Sequence, residues 1–319
     1  MTPSLQNTAD AFLLRCQALD RTMRREQRGA PGDDELHALS TALWDISDVL
    51  AAPPEGGWPE DTGAALRAAL GGWLWRSRVW YRAAWKPHGY AGDYRMLELM
   101  YDMEGSRFDD PTQPGILNAL DASLSTLHCI QGLWHRRRFY RELLQRERGR
   151  RGTLRVLDVA CGGARYTKDF LEGLDDTSGV TLTLVDQDTS ALAFCERHAL
   201  APWSEHIHCL SVPIHRLPER LPEDGYDVVM STGLYDYLDD ATARALSTHL
   251  ASLLAPGGVL VVSNYTPSDP SRHIRRHLTD WHLIERDADA LARLLPAGLD
   301  VTAASSPERT LAYALGREA

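Results

Sequence analysis

The sequence lacks any apolar run that approaches the roughly 20 residues needed to span a membrane. It also lacks a CxxC pair, and its five cysteines are an odd number. This argues against a disulfide framework and favours a reducing compartment. The first residues show no signal-peptide pattern, and no segment repeats along the chain. These absences predict a cytoplasmic protein that does not associate with a membrane.

Positive charge is scarcer than negative charge. The 319 residues include 34 Lys and Arg against 44 Asp and Glu, a net charge of −10. Because an acidic surface repels phosphate backbones, we expect no nucleic-acid partner. A basic run over 136–151 is interleaved with Glu142 and Glu147 at helical spacing, and we interpret it as a solvated helix face. The potential ligands in HIHC (206–209) have no second ligand pair, so we predict no metal site.

Two regions of the chain differ in their hydrophobic pattern. The first shows helical spacing only, and the second alternates apolar strands with helical stretches. We therefore expect an α/β fold, in which an N-terminal all-helical domain (1–150) precedes a doubly wound, Rossmann-like sheet (151–319). The predicted helices cover 9–28, 34–51, 63–85, 96–103, about 115–148, 165–174, 188–199 and 239–254. The predicted strands cover 154–160, 180–186, 206–212, 226–232, 258–265, 299–304 and 309–315.

The segment LDVACGGAR (157–165) follows a predicted strand and opens a helix. Its small residues let the backbone approach a ligand, and the helix N-terminus favours an anionic group. The segment resembles motif I of class I methyltransferases that use S-adenosylmethionine (SAM), usually D-x-G-x-G-x-G. Asp158 holds the acidic position and Gly162 the middle glycine, whereas Ala160 and Ala164 replace the outer two. Taken alone, the segment also fits a tight turn in another α/β fold.

Two further signals follow in order. Asp186 ends the second predicted strand, where a carboxylate can accept hydrogen bonds from both ribose hydroxyls. The same geometry would serve NAD, and Asp188 fits the cap of the next helix better than Asp186 does. The segment LAPGGVLVVSN (254–264) resembles the L-x-P-G-G-x-L turn of SAM methyltransferases, which a dinucleotide enzyme has no reason to carry there. Together the three signals identify the chain as similar to class I methyltransferases, which implies a seven-stranded core that binds SAM.

The resemblance extends to one bacterial family. KPHGYAGDYRML (86–97), GLYDYL (233–238) and the motifs within 263–287 are similar to synthases of the 3-hydroxy fatty acid methyl esters that serve as quorum signals. This similarity implies a biosynthetic enzyme of secondary metabolism with a small-molecule substrate. It assigns 1–150 as a lid that binds the substrate and 151–319 as the SAM domain. A homodimer is compatible with the sequence.

The resemblance also implies roles for individual residues. Asp158 and the amides of the following loop would line the methionine part of SAM, Asp186 with Gln187 the ribose, and the Val212 backbone the adenine. Residues 231–233 would form the floor beneath the sulfonium. The predicted SAM-binding residues are Asp158, Ala160, Cys161, Gly162, Asp186, Gln187, Val212, Ser231, Thr232 and Gly233.

Four residues are candidates for catalysis. Tyr90 and Asp93 would fold over SAM from the GYAGD loop, although Tyr90 also fits loop packing and Asp93 also fits a helix N-cap. Tyr235 follows the fourth predicted strand. His135, like His128 one heptad earlier, could serve as a general base, although a histidine on a helix surface is commoner.

Three functions fit these residues. In the first, SAM methylates a small molecule, and because no compelling base is evident the favoured acceptor is a carboxylate, such as a hydroxy fatty acid. In the second, the amino group of SAM attacks its own γ-carbon, which gives azetidine-2-carboxylate and methylthioadenosine. Trp134 and His135 stand where the ester synthases would have polar residues, which hints at this cyclisation. In the third, the chain is a SAM-binding module without catalysis.

Overall fold

The computed structural model describes residues 1–219 and 225–318. Within them the helices are α1 Pro3–Glu26, α2 Asp33–Ala51, α3 Thr62–Leu74, α4 Arg78–Trp85, α5 Tyr94–Asp102, α6 Gly115–Ser125, α7 His128–Arg151, α8 Arg165–Glu172, α9 Thr189–Phe194, α10 Asp240–Ala251, α11 Arg272–Thr279 and α12 Ala288–Ala292. The strands are β1 Leu154–Val159, β2 Val180–Asp186, β3 Ile207–Ser211, β4 Tyr226–Ser231, β5 Leu254–Tyr265, β6 Asp300–Ser305 and β7 Leu311–Arg317.

The chain forms two compact units. The first contains α1 to α6, the start of α7, and α11, although α11 follows β5 in the chain. The second contains the rest of α7 and the whole sheet. The units comprise Met1–Leu133 with Pro270–His282, and Trp134–Asp269 with Leu283–Ala319. The division into functional domains at residue 150 stays a prediction.

The helices of the first unit form because their apolar residues recur on one face. In α1 the buried side chains lie three or four residues apart, the spacing of a helical stripe. Each fully buried Leu or Phe contributes about 2 kcal/mol of transfer free energy. The predicted helix over 63–85 is interrupted instead between α3 and α4, where the Ser77 hydroxyl accepts the Trp80 N–H at 3.3 Å and caps the second helix. The buried face of α1 consists of Leu5, Ala9, Phe12, Cys16, Leu19 and Met23.

The single long helix predicted over 115–148 is wrong, because the structure divides it into α6 and α7. The Ser125 and Thr126 hydroxyls donate to carbonyls three residues earlier, at 2.6 and 2.7 Å. Such bonds compete with the helical pattern of the backbone and favour an ending. The N–H of Cys129 in the first turn of α7 is donated to the Ser271 hydroxyl at 2.8 Å. The second helix therefore starts with a side-chain partner from a distant segment.

The second unit is a seven-stranded sheet with the order β3-β2-β1-β4-β5-β7-β6. The first five strands in this order, β3, β2, β1, β4 and β5, pair in parallel, and β7 is antiparallel to both β5 and β6. Every residue of β4 is buried, as expected for a parallel strand covered on both faces. The predicted seven-stranded Rossmann-like architecture is therefore confirmed.

The start of β5 differs from the prediction. The LAPGG segment was expected as a turn before the strand, but the strand begins at Leu254 and continues through it. Its pairing with β4 shifts register here, and Gly257 has a φ of 67°. At Gly258 a Cβ would lie 2.8 Å from the carbonyl oxygen of Tyr226, so the close approach of the two strands requires glycine. The glycine pair thus forms a bulge inside the strand.

The basic run of α7 is only in part the solvated face that its spacing predicts: Glu142, Arg146 and Arg150 are exposed, but other members are not. Arg136 is 3% exposed, and Arg137 pairs with Asp169 of α8. Glu147 is completely buried, and its carboxylate accepts hydrogen bonds from Arg150 at 2.8 Å and from Arg317 of β7 at 2.6 Å. Spacing alone could not reveal the pairs with Asp169 and Arg317, since those two partners come from other elements.

We expect Glu147→Gln to lower the free energy of unfolding by about 2 kcal/mol near neutral pH, because the charged pairs with Arg317 and Arg150 are lost. Burial raises the pKa of Glu147, but these two guanidinium groups outweigh it and lower the pKa below its usual value of 4.5. A lowered pKa stabilises the fold above the unfolded value, and this contribution disappears as the pH falls through the folded value.

The difference between the variant and the wild type should therefore shrink in urea unfolding below about pH 4. Glu142→Gln on the same helix is the control, because that side chain is 64% exposed. An equal effect of the two substitutions would contradict the role given to Glu147.

Candidate functional site

The carboxyl ends of three adjacent strands bring predicted site residues together. Asp158 lies one residue before the end of β1, Asp186 ends β2, and Ser231 ends β4. The strand order reverses between β1 and β4. In open α/β sheets, ligands bind in the crevice at this reversal, outside the carboxyl ends of the strands. The parallel pairing thus gathers residues that are far apart in sequence.

The loop after β1 keeps a glycine-like backbone although it contains alanines. Ala160, Gly162 and Ala164 have φ values of 58°, 55° and 51°. This left-handed conformation costs an alanine about 1 kcal/mol. Hydrogen bonds hold the loop: the Cys161 N–H donates to the Val185 carbonyl at 3.2 Å. The departure from the usual glycine pattern therefore leaves the shape of the turn unchanged.

Asp186 links the two loops at the ends of β1 and β2. Its carboxylate accepts the Gly162 N–H at 2.9 Å and the Asp188 N–H at 2.9 Å. Burial raises the pKa of Asp186, and these backbone donors oppose the shift. Asp188 caps α9 by accepting the Ser190 N–H at 2.8 Å, as predicted. Gln187, between the two acids, is exposed.

Asp158 is the most unusual charge in the site. Its side chain is completely buried, and neither carboxylate oxygen has a hydrogen-bond partner within residues 1–219 and 225–318. Burial raises its pKa well above the ordinary value, and the nearby Asp186 raises it further. The Tyr166 hydroxyl, which is close by but outside full hydrogen-bond geometry, and the positive charge of Arg136 oppose the shift. A buried carboxylate without a partner is costly. A cation placed beside it would remove much of that cost.

Thr232 connects the end of β4 to three other elements. Its carbonyl oxygen accepts Nη1 of Arg136 at 2.6 Å and the hydroxyl of Ser263 at 2.7 Å. Its own hydroxyl lies 2.6 Å from that of Tyr166 in α8. These contacts hold the floor of the crevice, which continues into the half-buried Gly233. Sequence reasoning missed Arg136, Tyr166 and Ser263, since no motif marks them.

The backbone of Val212 is already engaged. Its N–H donates to the Asp186 carbonyl at 3.2 Å. The predicted backbone contact to adenine therefore stays a prediction for the carbonyl group of Val212 alone. An open cavity of about 350 Å³ lies at the end of β3, where a base next to the ribose would extend. It is lined by Cys209, Leu210, Ser211, Val212, Pro213 and Arg216.

Tyr235, a predicted catalytic residue, occupies a core position. Its side chain is completely buried among apolar residues, and its hydroxyl lies 2.8 Å from that of Ser247 in α10. Burial raises the pKa of the phenol. The GLYDYL pattern marks the site after β4, but the chain turns there and directs this ring into the core. Its catalytic role is therefore disfavoured.

Two further predicted catalytic residues, Tyr90 and Asp93, lie in the first unit. Asp93 is 1% exposed, accepts the Met96 N–H at 3.1 Å as the N-cap of α5, and pairs with Arg82 at 2.8 Å. Tyr90 is half-buried in the loop before it. The capping role of Asp93 is the alternative that its position in the sequence suggested. Catalytic roles for Tyr90 and Asp93 stay predictions.

The two histidines of α7 have different surroundings. His128 packs against Trp44, with ring centroids 5.2 Å apart. Nδ1 of His135 lies 3.0 Å from the hydroxyl oxygen of Tyr313 in β7. Burial lowers the pKa of His135, which favours the neutral imidazole. Of the two, His135 therefore has the surroundings of a residue held in one orientation.

Residues 1–219 and 225–318 contain neither a candidate metal cluster nor a candidate membrane span. No group of three or more His, Cys, Asp or Glu side chains is placed to hold a metal ion there. In that part of the chain, each helix is too short or too polar for a bilayer crossing.

A profile of the methyltransferase domain family matches residues 157–260. A comparison with curated proteins returns no match. Among solved structures, a Bordetella parapertussis protein described as a possible exported protein covers 100% of this chain and 99% of its own, with 20% identity and a TM-score of 0.57. That similarity concerns the fold alone, and it extends over the full length of both chains.

Two solved methyltransferase structures align with lower TM-scores. N-methyltransferase NodS from Bradyrhizobium japonicum, in complex with S-adenosyl-L-homocysteine, covers 57% of this chain and 86% of its own, with 19% identity and a TM-score of 0.42. Magnesium protoporphyrin IX methyltransferase from Synechocystis, with bound SAM, covers 60% and 84%, with 12% identity and a TM-score of 0.44. The sheet topology and the domain match give the Rossmann-like methyltransferase fold. The resemblance to ester synthases and the cytoplasmic location stay predictions.

We expect Asp93→Ala to lower the free energy of unfolding by about 3 kcal/mol, because it removes the cap of α5 and leaves the guanidinium of Arg82 without its carboxylate. Chemical unfolding would measure the loss. Asp45→Ala, at an exposed position of α2, is the control and should cost less than about 0.5 kcal/mol. If Asp93→Ala unfolds like the wild type, the structural account of this residue fails and the catalytic one gains.

Proposed function

We propose that this protein is a SAM-dependent methyltransferase that acts on a small molecule. The observation that carries the proposal is Asp158, a buried carboxylate without a hydrogen-bond partner among the described residues, at the strand ends where ligands of this fold bind. SAM brings two cations, a sulfonium and an ammonium, and either would stabilise the ionised carboxylate. The match to a methyltransferase domain over 157–260 supports the same conclusion.

The acids also favour SAM over a dinucleotide. NAD would place a doubly charged pyrophosphate at the loop after β1, close to two carboxylates that already repel one another, whereas the single carboxylate of SAM is accompanied by its own ammonium group. The nucleoside of SAM carries no phosphate. Asp186 would accept the ribose hydroxyls. Because the amides of Cys161, Gly162 and Ala164 already have acceptors, the first N–H groups of α8, beginning at Arg165, would receive the methionine carboxylate. Gln187 and the cavity at Val212 continue this binding surface toward the adenine.

Positioning is the main catalytic task of such a site. SAM, when bound, supplies a methyl group that is already activated by the positive sulfur. The chain therefore needs to align the acceptor with it, and good alignment can contribute several kcal/mol. The hydrogen bonds of Arg136, Ser263 and Tyr166 to Thr232 hold the crevice floor rigid for this purpose.

The class of methyl acceptor depends on whether the site contains a general base. The sequence favoured a carboxylate, such as that of a hydroxy fatty acid, because no convincing base was evident. The contact between His135 and Tyr313 removes that reason. A carboxylate acceptor thus remains a candidate from family resemblance alone. Cyclisation of SAM remains the second candidate, since its attacking amine must also lose a proton.

We expect Asp186→Asn to weaken binding of S-adenosylhomocysteine, a stable probe, by about 100-fold, because the charged acceptor for the ribose hydroxyls is lost. Calorimetry on the full chain would measure the affinity. Asp188→Asn is a matched control, because an asparagine caps α9 as well as an aspartate does. Equal affinity of Asp186→Asn and the wild type would remove this residue from the site.

The reaction itself is read by mass spectrometry after incubation with SAM, alone and with small carboxylic acids, phenols or amines. We expect SAM to be stable alone and to give S-adenosylhomocysteine when an acceptor is present. Methylthioadenosine with azetidine-2-carboxylate from SAM alone would replace the proposal with the cyclase. Tight binding without any turnover would indicate a SAM-binding module that lacks catalysis.

A further inference from the structure

His135 and Tyr313 lie at the same edge of the sheet as the crevice floor. His135 precedes Arg136, whose guanidinium bonds to the Thr232 carbonyl. Tyr313 pairs with Ser263 across β7 and β5, and the Ser263 hydroxyl bonds to that same carbonyl. Because neighbouring strands are about 4.8 Å apart, Tyr313 stands about 10 Å from the end of β4. This distance suits an acceptor that lies between them.

The pair is held in one geometry. Tyr313 is 1% exposed, and its ring stacks on Phe139, with centroids 4.2 Å apart and planes at 28°. Phe139 is one helical turn beyond His135, so the same helix face fixes both partners. His135 itself is only half-buried. A buried phenol thus orients a partly exposed base.

We propose that His135 is the general base of the reaction, that Tyr313 is its positioning residue, and that the acceptor is therefore a hydroxyl or amine that carries a proton. This inference rests on the proposed function. In the tautomer that it requires, Nδ1–H donates to the Tyr313 oxygen and Nε2 keeps the lone pair. A carboxylate acceptor, already ionised, would leave the pair without a task.

The charges around His135 suit this role. Glu308 from the turn between β6 and β7, and Glu142 from α7, are acidic, whereas Arg138 from α7 is basic. Burial lowers the pKa of His135 and is the largest effect, so the imidazole is neutral and able to accept a proton. The two acids then stabilise the imidazolium that forms.

The step balances in atoms and electrons. The lone pair of the acceptor oxygen or nitrogen forms a bond to the methyl carbon, while the carbon–sulfur bond breaks and its electrons remain on sulfur as a neutral thioether. The acceptor proton moves to Nε2 of His135 and then to solvent. Tyr313 neither gains nor loses a proton.

The tautomer can be measured without any acceptor. In ¹⁵N spectra of the full chain with labelled histidine, His135→Gln identifies the His135 signals among the 12 histidines. We expect the wild type to carry its proton on Nδ1, and Tyr313→Phe to move it largely to Nε2, because the phenylalanine retains the ring but not the acceptor oxygen. A proton on Nε2 in the wild type would overturn the proposal.

Activity gives the second readout, by S-adenosylhomocysteine formation with phenols, amines and carboxylic acids. We expect turnover with an acceptor that carries a proton, a loss of about 100-fold or more in His135→Gln, and a loss of about tenfold in Tyr313→Phe. The wild-type rate should fall as the pH drops below the pKa of His135, and His135→Gln should lose this dependence. His249→Gln, a half-buried histidine on α10, should retain wild-type turnover.

The outcomes separate the two proposals. Methylation of a carboxylic acid that His135→Gln performs as well as the wild type would overturn the base while leaving the methyltransferase intact. Absence of S-adenosylhomocysteine binding by the wild type would remove the methyltransferase itself. Unchanged affinity for that probe in His135→Gln would show that its lost turnover is not a failure of binding.

Discussion

Two carboxylates at the ends of adjacent parallel strands set the main constraint on this structure. Asp158 and Asp186 are brought together by the pairing of β1 with β2, and both have raised pKa values because burial penalises their charge. Asp186 is stabilised by the Gly162 and Asp188 amides. Asp158 has no comparable hydrogen bonds within the described residues, which leaves a demand for positive charge at the sheet edge.

The surroundings of these acids are correspondingly rigid. Thr232 receives contacts from α7, α8 and β5 through Arg136, Tyr166 and Ser263. At the opposite end of α7, Glu147 joins that helix to β7 through Arg317. These contacts hold the part of α7 that belongs to the second unit, from Trp134 onward, against the sheet at two points. Precision of this kind is what transfer of a methyl group along a line requires.

In the proposed mechanism, the two ends of the sheet edge have different chemical roles. The end containing β1, β2 and β3 is acidic and would bind the cationic nucleoside, while the end containing β5 and β7 carries His135 and Tyr313 and would accept a proton. The sequence named His135 as a possible base, but it could not identify the partner that orients it. Tyr313 lies 178 residues from His135, in the last strand, and belongs to no motif of the binding loops.

The sequence by itself determined many of the local elements, because apolar spacing and turn residues act over a few positions: β2 matches its predicted bounds, and Asp188 caps the next helix as expected. It also located Asp158, Gly162 and Asp186, because their motifs are contiguous. It missed the breaks within 63–85 and 115–148. Only the tertiary structure decided the surroundings of three residues. The sequence predicts Arg136 and Glu147 to be solvated and Tyr235 to be catalytic, but all three are buried against partners from other segments. Burial and pairing depend on what the rest of the chain places alongside a residue, and no local pattern contains that information.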